Sequence, residues 1–152
     1  MGQCKSLNLS PEDFIEKIKK EDDSIYKFLN NKLIKFQLST DLCFGAIAYI
    51  RDVESSSPDN IVDAFCALLY RAFEVNYLAT DYINDNCLSG LRLILNKKDG
   101  RARFRAAMLF KSLKDYMYID KETIEKIKEV ARFFLGDKSL GPLAKKVLRG
   151  LE

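Results

Sequence analysis

The amino-acid sequence predicts an all-helical domain, and three observations lead to this prediction. Apolar residues recur at helical spacing, as Leu88, Leu91 and Leu95 do along one face of a central segment. Breaks and cap residues separate such segments, and Asp99 with Gly100 forms the break after the central one. No segment shows the alternation of apolar and polar residues that is typical of a strand. We therefore expect amphipathic helices packed on one another without a sheet.

Start signals place these helices along the chain. Ser10 is a suitable cap and Pro11 occupies the first helical position, while Asp120 is a suitable cap for a later helix. A serine, a proline and an aspartate at 57–59 end the most loop-like segment and begin another helix. The segments with a helical apolar pattern are 14–20, 25–36, 42–53, 61–73, 88–95, 106–113, 122–135 and 143–151.

The chain length suits one domain, and its charge is unevenly distributed. Its 152 residues are enough to bury a core, and we predict a flexible N-terminus at 1–9 followed by a single all-helical domain at 10–152. Up to Cys87 the sequence holds nine basic and fourteen acidic residues, and from Leu88 onward it holds sixteen basic and eight acidic ones. The absence of a secretory signal and of a long apolar run predicts a cytoplasmic protein.

The residue types argue against catalysis and against a metal site. The sequence contains no histidine, which removes the commonest general base and the usual zinc ligand sets. Cys43 and Cys66 stand among apolar residues, where a cysteine usually acts as a small buried side chain. The glycines are scattered and form no phosphate-binding loop. We therefore predict no enzyme activity, no catalytic residue, no metal site and no cofactor.

The N-terminus matches an acylation pattern. Gly2 becomes the first residue once the methionine is removed, and Ser6 stands at the position that N-myristoylation favours. Cys4 is a candidate for a second, palmitoyl chain, which stable anchoring requires because one acyl chain binds a membrane weakly. An ordinary N-terminus without lipid is the alternative. If Gly2 and Cys4 are modified, the protein is associated with a membrane.

Five basic residues surround the central break and form the predicted contact surface, which we call the basic turn. Cations at the start of a helix oppose its dipole, so their presence suggests a binding role. Our first hypothesis is a non-enzymatic adaptor or scaffold that binds an acidic protein partner; a solvated loop is the alternative. An anionic membrane is a second potential partner, and nucleic acid is a third, disfavoured because Phe104 is the one interleaved aromatic residue. The basic turn comprises Lys97, Lys98, Arg101, Arg103 and Arg105.

Residues 58–151 resemble armadillo and HEAT repeats. One apolar pattern recurs in the first helix of each proposed hairpin, and a second pattern, which begins with a small alanine, recurs in the second helix. The resemblance implies a short right-handed stack of helical hairpins that binds other proteins. The asparagine ladder of nuclear-import armadillo proteins has no counterpart, so their mode of peptide binding is not implied. A compact helical bundle is the alternative fold. The first pattern falls at Ile61, Ala64, Ala67 and Leu68, at Leu88, Leu91, Ile94 and Leu95, and at Ile124, Ile127 and Val130; the second falls at Ala106, Phe110 and Leu113 and at Ala144, Leu148 and Leu151.

Overall fold

The computed structural model describes residues 40–75, 77–78 and 80–151, and these residues form an all-helical structure. Within them there are six α-helices and no strand, which confirms the predicted fold class. The candidate helices at 14–20 and 25–36 lie outside the described residues. The helices are α1 (Thr40–Arg51), α2 (Asp59–Glu74), α3 (Asp85–Leu95), α4 (Ala102–Leu113), α5 (Lys121–Phe133) and α6 (Gly141–Leu151), with short 3-10 turns at Thr80–Tyr82 and Phe134–Gly136.

Side-chain caps fix the beginning of two helices. The Asn84 side chain accepts a hydrogen bond of 3.0 Å from the backbone N–H of Cys87, so α3 begins before the apolar pattern itself does. The Asp120 carboxylate accepts bonds from the backbone N–H and the hydroxyl of Thr123 at 3.2 and 2.6 Å. The predicted cap of α5 is thus confirmed. Hydrogen bonding to Thr123 also holds the pKa of Asp120 below its ordinary value.

The helices pack in consecutive pairs and in two rows. Helix α1 contacts α2, α3 contacts α4, and α5 contacts α6. Across the pairs, α1 contacts α3 and α3 contacts α5, while α2 contacts α4 and α4 contacts α6. Helix α4 therefore lies at the centre of the described structure, between α2 and α6 and against α3 and α5.

The central position of α4 explains a difference from the sequence prediction. The sequence predicts a single apolar stripe on this helix, with Met108 and Leu109 flanking it. In the structure both flanking residues are buried, as are Ala102, Phe104 and Ala107. Neighbouring helices cover this helix on several sides, so its buried apolar residues lie on several faces and not along a single stripe.

Helices α1 and α3 approach each other closely at a glycine. A Cβ atom at Gly90 would collide with the backbone carbonyl of Ile50, so a larger residue there would push the two helices apart. The buried apolar residues of all six helices form one continuous core.

The described cysteines are part of this core. Cys43 and Cys66 are fully buried, which confirms their predicted packing role, and Cys87 is buried with them. Burial raises the pKa of Cys43 and of Cys87 to about 11 and raises that of Cys66 as well, so all three are thiols at neutral pH. The described residues include no cluster of side chains that could hold a metal ion. Among the same residues, none of the helices has the length and apolar character needed to cross a bilayer.

Candidate functional site

The basic turn between α3 and α4 is shaped by one glycine and one carboxylate. Gly100 has a φ of +92°, a backbone conformation that residues with a side chain rarely adopt. A Cβ atom there would also collide with the carboxylate of Asp59, which comes from the first turn of α2. The turn therefore requires glycine both for its backbone conformation and for the space that Asp59 occupies.

Asp59 fills this space because it caps α4. Its Oδ2 accepts a hydrogen bond of 2.9 Å from the backbone N–H of Arg101, and its Oδ1 accepts one of 3.3 Å from that of Ala102. Helix α4 has no side-chain cap of its own. Asp59 thus satisfies N–H groups that lack partners within the helix and places a negative charge at the positive end of its dipole.

The arginines of the basic turn contact other parts of the protein. Arg101 donates a 2.9 Å hydrogen bond to the Ser139 hydroxyl and lies 3.7 Å from the carboxylate of Asp137, in the connection before α6. The guanidinium of Arg103 donates to the carbonyl of Gly100 at 3.1 Å, and its central carbon lies 4.4 Å from the ring centre of Phe133. Both side chains therefore link the start of α4 to the α5–α6 pair.

Arg105 forms the most buried ion pair of the basic turn. Its Nε lies 3.0 Å from Oδ1 of Asp63 on α2. The exposed fraction is 25% for the Arg105 side chain and 22% for the Asp63 side chain. Burial raises the pKa of Asp63, and the nearby Arg105 opposes that rise. The ion pair fixes α2 beside α4 one helical turn beyond the Asp59 cap.

The five residues of the basic turn therefore differ in whether they contact other parts of the protein. The three arginines have internal partners, and the ammonium of Lys97 is 3.4 Å from the carbonyl of Ser57. Lys98 is exposed and has no hydrogen bond or ion pair among the described residues. Whether these residues bind a partner stays a prediction. The sequence analysis does not identify Asp59 and Asp63 as their partners, although the four-residue spacing of these aspartates places both on one face of α2.

A larger basic surface lies on α4 and α6, and we call it the basic face. Neither helix contains an aspartate or a glutamate, and the two helices contact each other. Of its six cations only Arg105 forms an ion pair within the described part of the chain, while Arg103 contacts the Gly100 carbonyl and the Phe133 ring. The basic face comprises Arg103, Arg105, Lys111, Lys145, Lys146 and Arg149.

Beside the basic face, α2, α4 and α6 enclose a groove of about 360 Å³, which we call the α2–α4–α6 groove. A smaller cavity of about 40 Å³ continues it toward Lys111. Burial and the neighbouring Glu74 carboxylate raise the pKa of Tyr70 in its wall, so this phenol is protonated at neutral pH. The groove is lined by Ala67, Tyr70, Arg71 and Glu74 of α2, Arg105 and Met108 of α4, and Leu143 and Lys146 of α6.

The remaining predicted site lies elsewhere in the chain. Gly2 and Cys4, the candidate lipidation residues, are outside the described residues. Comparisons with protein-family models, with curated proteins and with solved structures find no match for this chain. The function of this chain is therefore inferred from the geometry of the basic turn, the basic face and the groove.

Proposed function

We propose that this protein is a non-enzymatic adaptor or scaffold that binds an acidic surface of a protein partner. One observation carries the proposal: two adjacent helices, α4 and α6, present six cations and no carboxylate. Such a surface attracts negative charge and accelerates encounter with an acidic partner. Lys145, Lys146 and Arg149 are exposed, so a partner reaches them without rearrangement of the fold.

The architecture that we propose is a short stack of helical hairpins. The pairing of α1 with α2, α3 with α4 and α5 with α6 is what a short right-handed stack of armadillo-like or HEAT-like hairpins requires. The contacts within the rows α1–α3–α5 and α2–α4–α6 support the same interpretation, although α2, which carries the first-helix pattern at Ile61, lies in the row of the second helices. Stacks of this kind bind proteins along the extended surface of one row. The basic face and the groove both belong to the α2–α4–α6 row.

The proposal extends the contact surface predicted at 97–105. Arg105 belongs to both surfaces, and Lys98 and the half-exposed Arg101 remain accessible at the turn. Reversing the charge of Arg101 and Arg105 would also break their ion pairs with Asp137 and Asp63. Loss of binding in such variants would not distinguish a contact role from a structural one. The exposed cations of α6 provide a cleaner test.

The test is a triple charge reversal on α6, with Lys145, Lys146 and Arg149 each replaced by glutamate. Immobilised wild-type protein and the variant are incubated with extract of the protein's own cells, and the retained proteins are identified by mass spectrometry. We expect wild type to retain a protein with an acidic surface and the variant to lose it, because three attractive charges become repulsive ones. Circular dichroism verifies that helical content is unchanged.

A matched control has the same charge change on and directly after α5, with the exposed Lys121, Arg132 and Lys138 replaced by glutamate. These residues lie outside the α2–α4–α6 row, so the control is expected to retain the partner. Equal loss in both variants would show that net charge alone determines binding and would contradict the proposal. Retention of nucleic acid that salt removes, or of anionic vesicles in place of a protein, would favour the corresponding alternative.

A further inference from the structure

We propose that the α2–α4–α6 groove receives an apolar anchor side chain from an acidic segment of the partner. The segment carries one leucine-like residue that enters the groove, flanked by carboxylates that contact the basic face. This inference rests on the proposed function, because it assumes an acidic protein partner. It adds where the partner is held and which kind of sequence is recognised.

The floor of the groove is suited to an apolar side chain. Met108 and Leu143 line both the groove and its smaller continuation, and the small side chain of Ala67 leaves the α2 side open. Methionine is flexible and polarisable, so it adapts to side chains of different shape. A volume of about 360 Å³ lies at the lower end of the range of cavities that bind small ligands, which suits a single anchor group.

The rim of the groove determines where the carboxylates bind. On the α2 side, Arg71 forms a 2.7 Å ion pair with Glu74, and Arg105 is paired with Asp63. On the opposite side, Lys146 and the adjoining Lys111 have no carboxylate partner among the described residues. Negative charge from outside is therefore expected to bind beside α6 and the C-terminal half of α4.

The experiment uses three synthetic peptides and a methionine label. The first peptide is acidic with one central leucine, the second replaces that leucine by serine, and the third replaces the acidic residues by lysine. The protein is labelled with ¹³C at its methionine methyl groups, and the two methionines among the described residues, Met108 and Met117, are followed separately. Met108 reports on the groove, and Met117, in the connection between α4 and α5, is the internal control.

We expect the leucine peptide to shift the Met108 signal without shifting that of Met117. Burying a leucine side chain gives about a tenfold gain in affinity, so the serine peptide binds about tenfold more weakly. The lysine peptide does not bind. Replacing Ala67 by leucine fills the groove and removes the tenfold preference, whereas Ala48→Leu on α1 preserves it, and an unshifted Met117 signal shows that the variant is folded.

The possible results separate the two proposals. If acidic peptides bind equally with leucine or serine, or leave the Met108 signal unshifted, the groove inference is wrong and the acidic-partner proposal stands. If neither acidic peptide binds, both proposals fail. If the lysine peptide binds as well as the acidic leucine peptide, the groove recognises apolar groups without regard to charge, which also overturns the inference.

Discussion

The carboxylate of Asp59 stabilises a helix that is not its own. It lies in the first turn of α2 and accepts hydrogen bonds from the backbone at the start of α4. Cations at 101, 103 and 105 oppose the dipole of α4, and the negative charge of Asp59 offsets part of that unfavourable interaction. Asp59 therefore allows basic residues to stand at this helix start, whether or not they bind a partner.

Replacing Asp59 by alanine is expected to lower the free energy of unfolding by about 1 to 2 kcal/mol, because α4 loses its only described cap. Urea unfolding followed by circular dichroism measures the change. The control is Asp99→Ala, which removes the same charge from an exposed position in the same turn. Equal destabilisation by the two substitutions would mean that charge, and not the cap, is what matters.

The ion pair of Asp63 and Arg105 makes a prediction about pH. Arg105→Met leaves a largely buried carboxylate without its cation and is expected to lower the free energy of unfolding by about 2 kcal/mol at neutral pH. Since the pKa of folded Asp63 is raised, the folded protein binds a proton at higher pH than the unfolded chain does. The penalty should therefore shrink as the pH falls through the folded pKa, where Asp63 becomes neutral.

Urea unfolding of wild type and Arg105→Met at neutral pH and at about pH 4.5 tests this sign. The double variant with Asp63→Asn removes both charges and is expected to recover part of the lost stability at neutral pH. A penalty that is the same at both pH values would show that Asp63 is not the group responsible.

Sequence reasoning at the level of single residues succeeds where the local pattern decides the outcome. It predicts correctly that Cys43 and Cys66 are buried. The helical apolar pattern at 122–135 continues to Leu135, but α5 ends at Phe133 and the following turn leaves Leu135 38% exposed. A change from α to 3-10 geometry rotates every later side chain, and nothing in the apolar pattern signals where this change occurs.

At the scale of the elements, the turn between α3 and α4 tolerates little change. Gly100→Ala is expected to lower the free energy of unfolding by more than about 1 kcal/mol, since alanine disfavours positive φ and its Cβ displaces Asp59. Gly136→Ala is the control, because its φ is not positive and no atom lies near its Cβ position.

Thermal unfolding of the two variants measures this difference. Gly136→Ala should change the free energy of unfolding by no more than about 0.5 kcal/mol. Similar destabilisation by Gly100→Ala and Gly136→Ala would indicate a general effect of glycine replacement and not the specific conflict with Asp59.

The elements themselves could be predicted because caps and apolar spacing are local signals. Asp120 begins α5 as its sequence predicts, and 57–59 lead into α2. What could not be predicted is the environment of α4, which neighbouring helices cover on several sides. Its burial depends on contacts between residues distant in sequence, such as the hydrogen bond that the Asp59 carboxylate accepts from the backbone at the start of α4. Local periodicity contains no information about such contacts.

At the scale of the whole molecule, part of the charge asymmetry is internal. Asp63, from the acidic first half, forms an ion pair with Arg105 from the basic second half, and Asp59 caps the start of α4 through the backbone N–H of Arg101. Lys111, Lys145, Lys146 and Arg149 of the basic face are the remainder, because none of them forms an ion pair with a carboxylate of the described residues. The sequence predicts a basic contact surface centred on the turn, where the structure gives all three arginines internal partners, and whether this surface binds a partner stays a prediction.

The arrangement of helices also predicts how the molecule loses structure. Ala144 of α6 is fully buried, and Ala144→Asp places a charge there without a partner, which costs several kcal/mol. In a stack of hairpins each pair depends mainly on its neighbours, so amide hydrogen exchange should accelerate in α5 and α6 while α1 and α2 keep their protection. In a compact bundle, protection would fall in all helices together.

Lys145→Asp, at the exposed neighbouring position, is the control and should leave exchange in α1 and α2 unchanged. Uniform loss of protection in Ala144→Asp would therefore reject the armadillo-like or HEAT-like architecture, whichever partner the basic face binds.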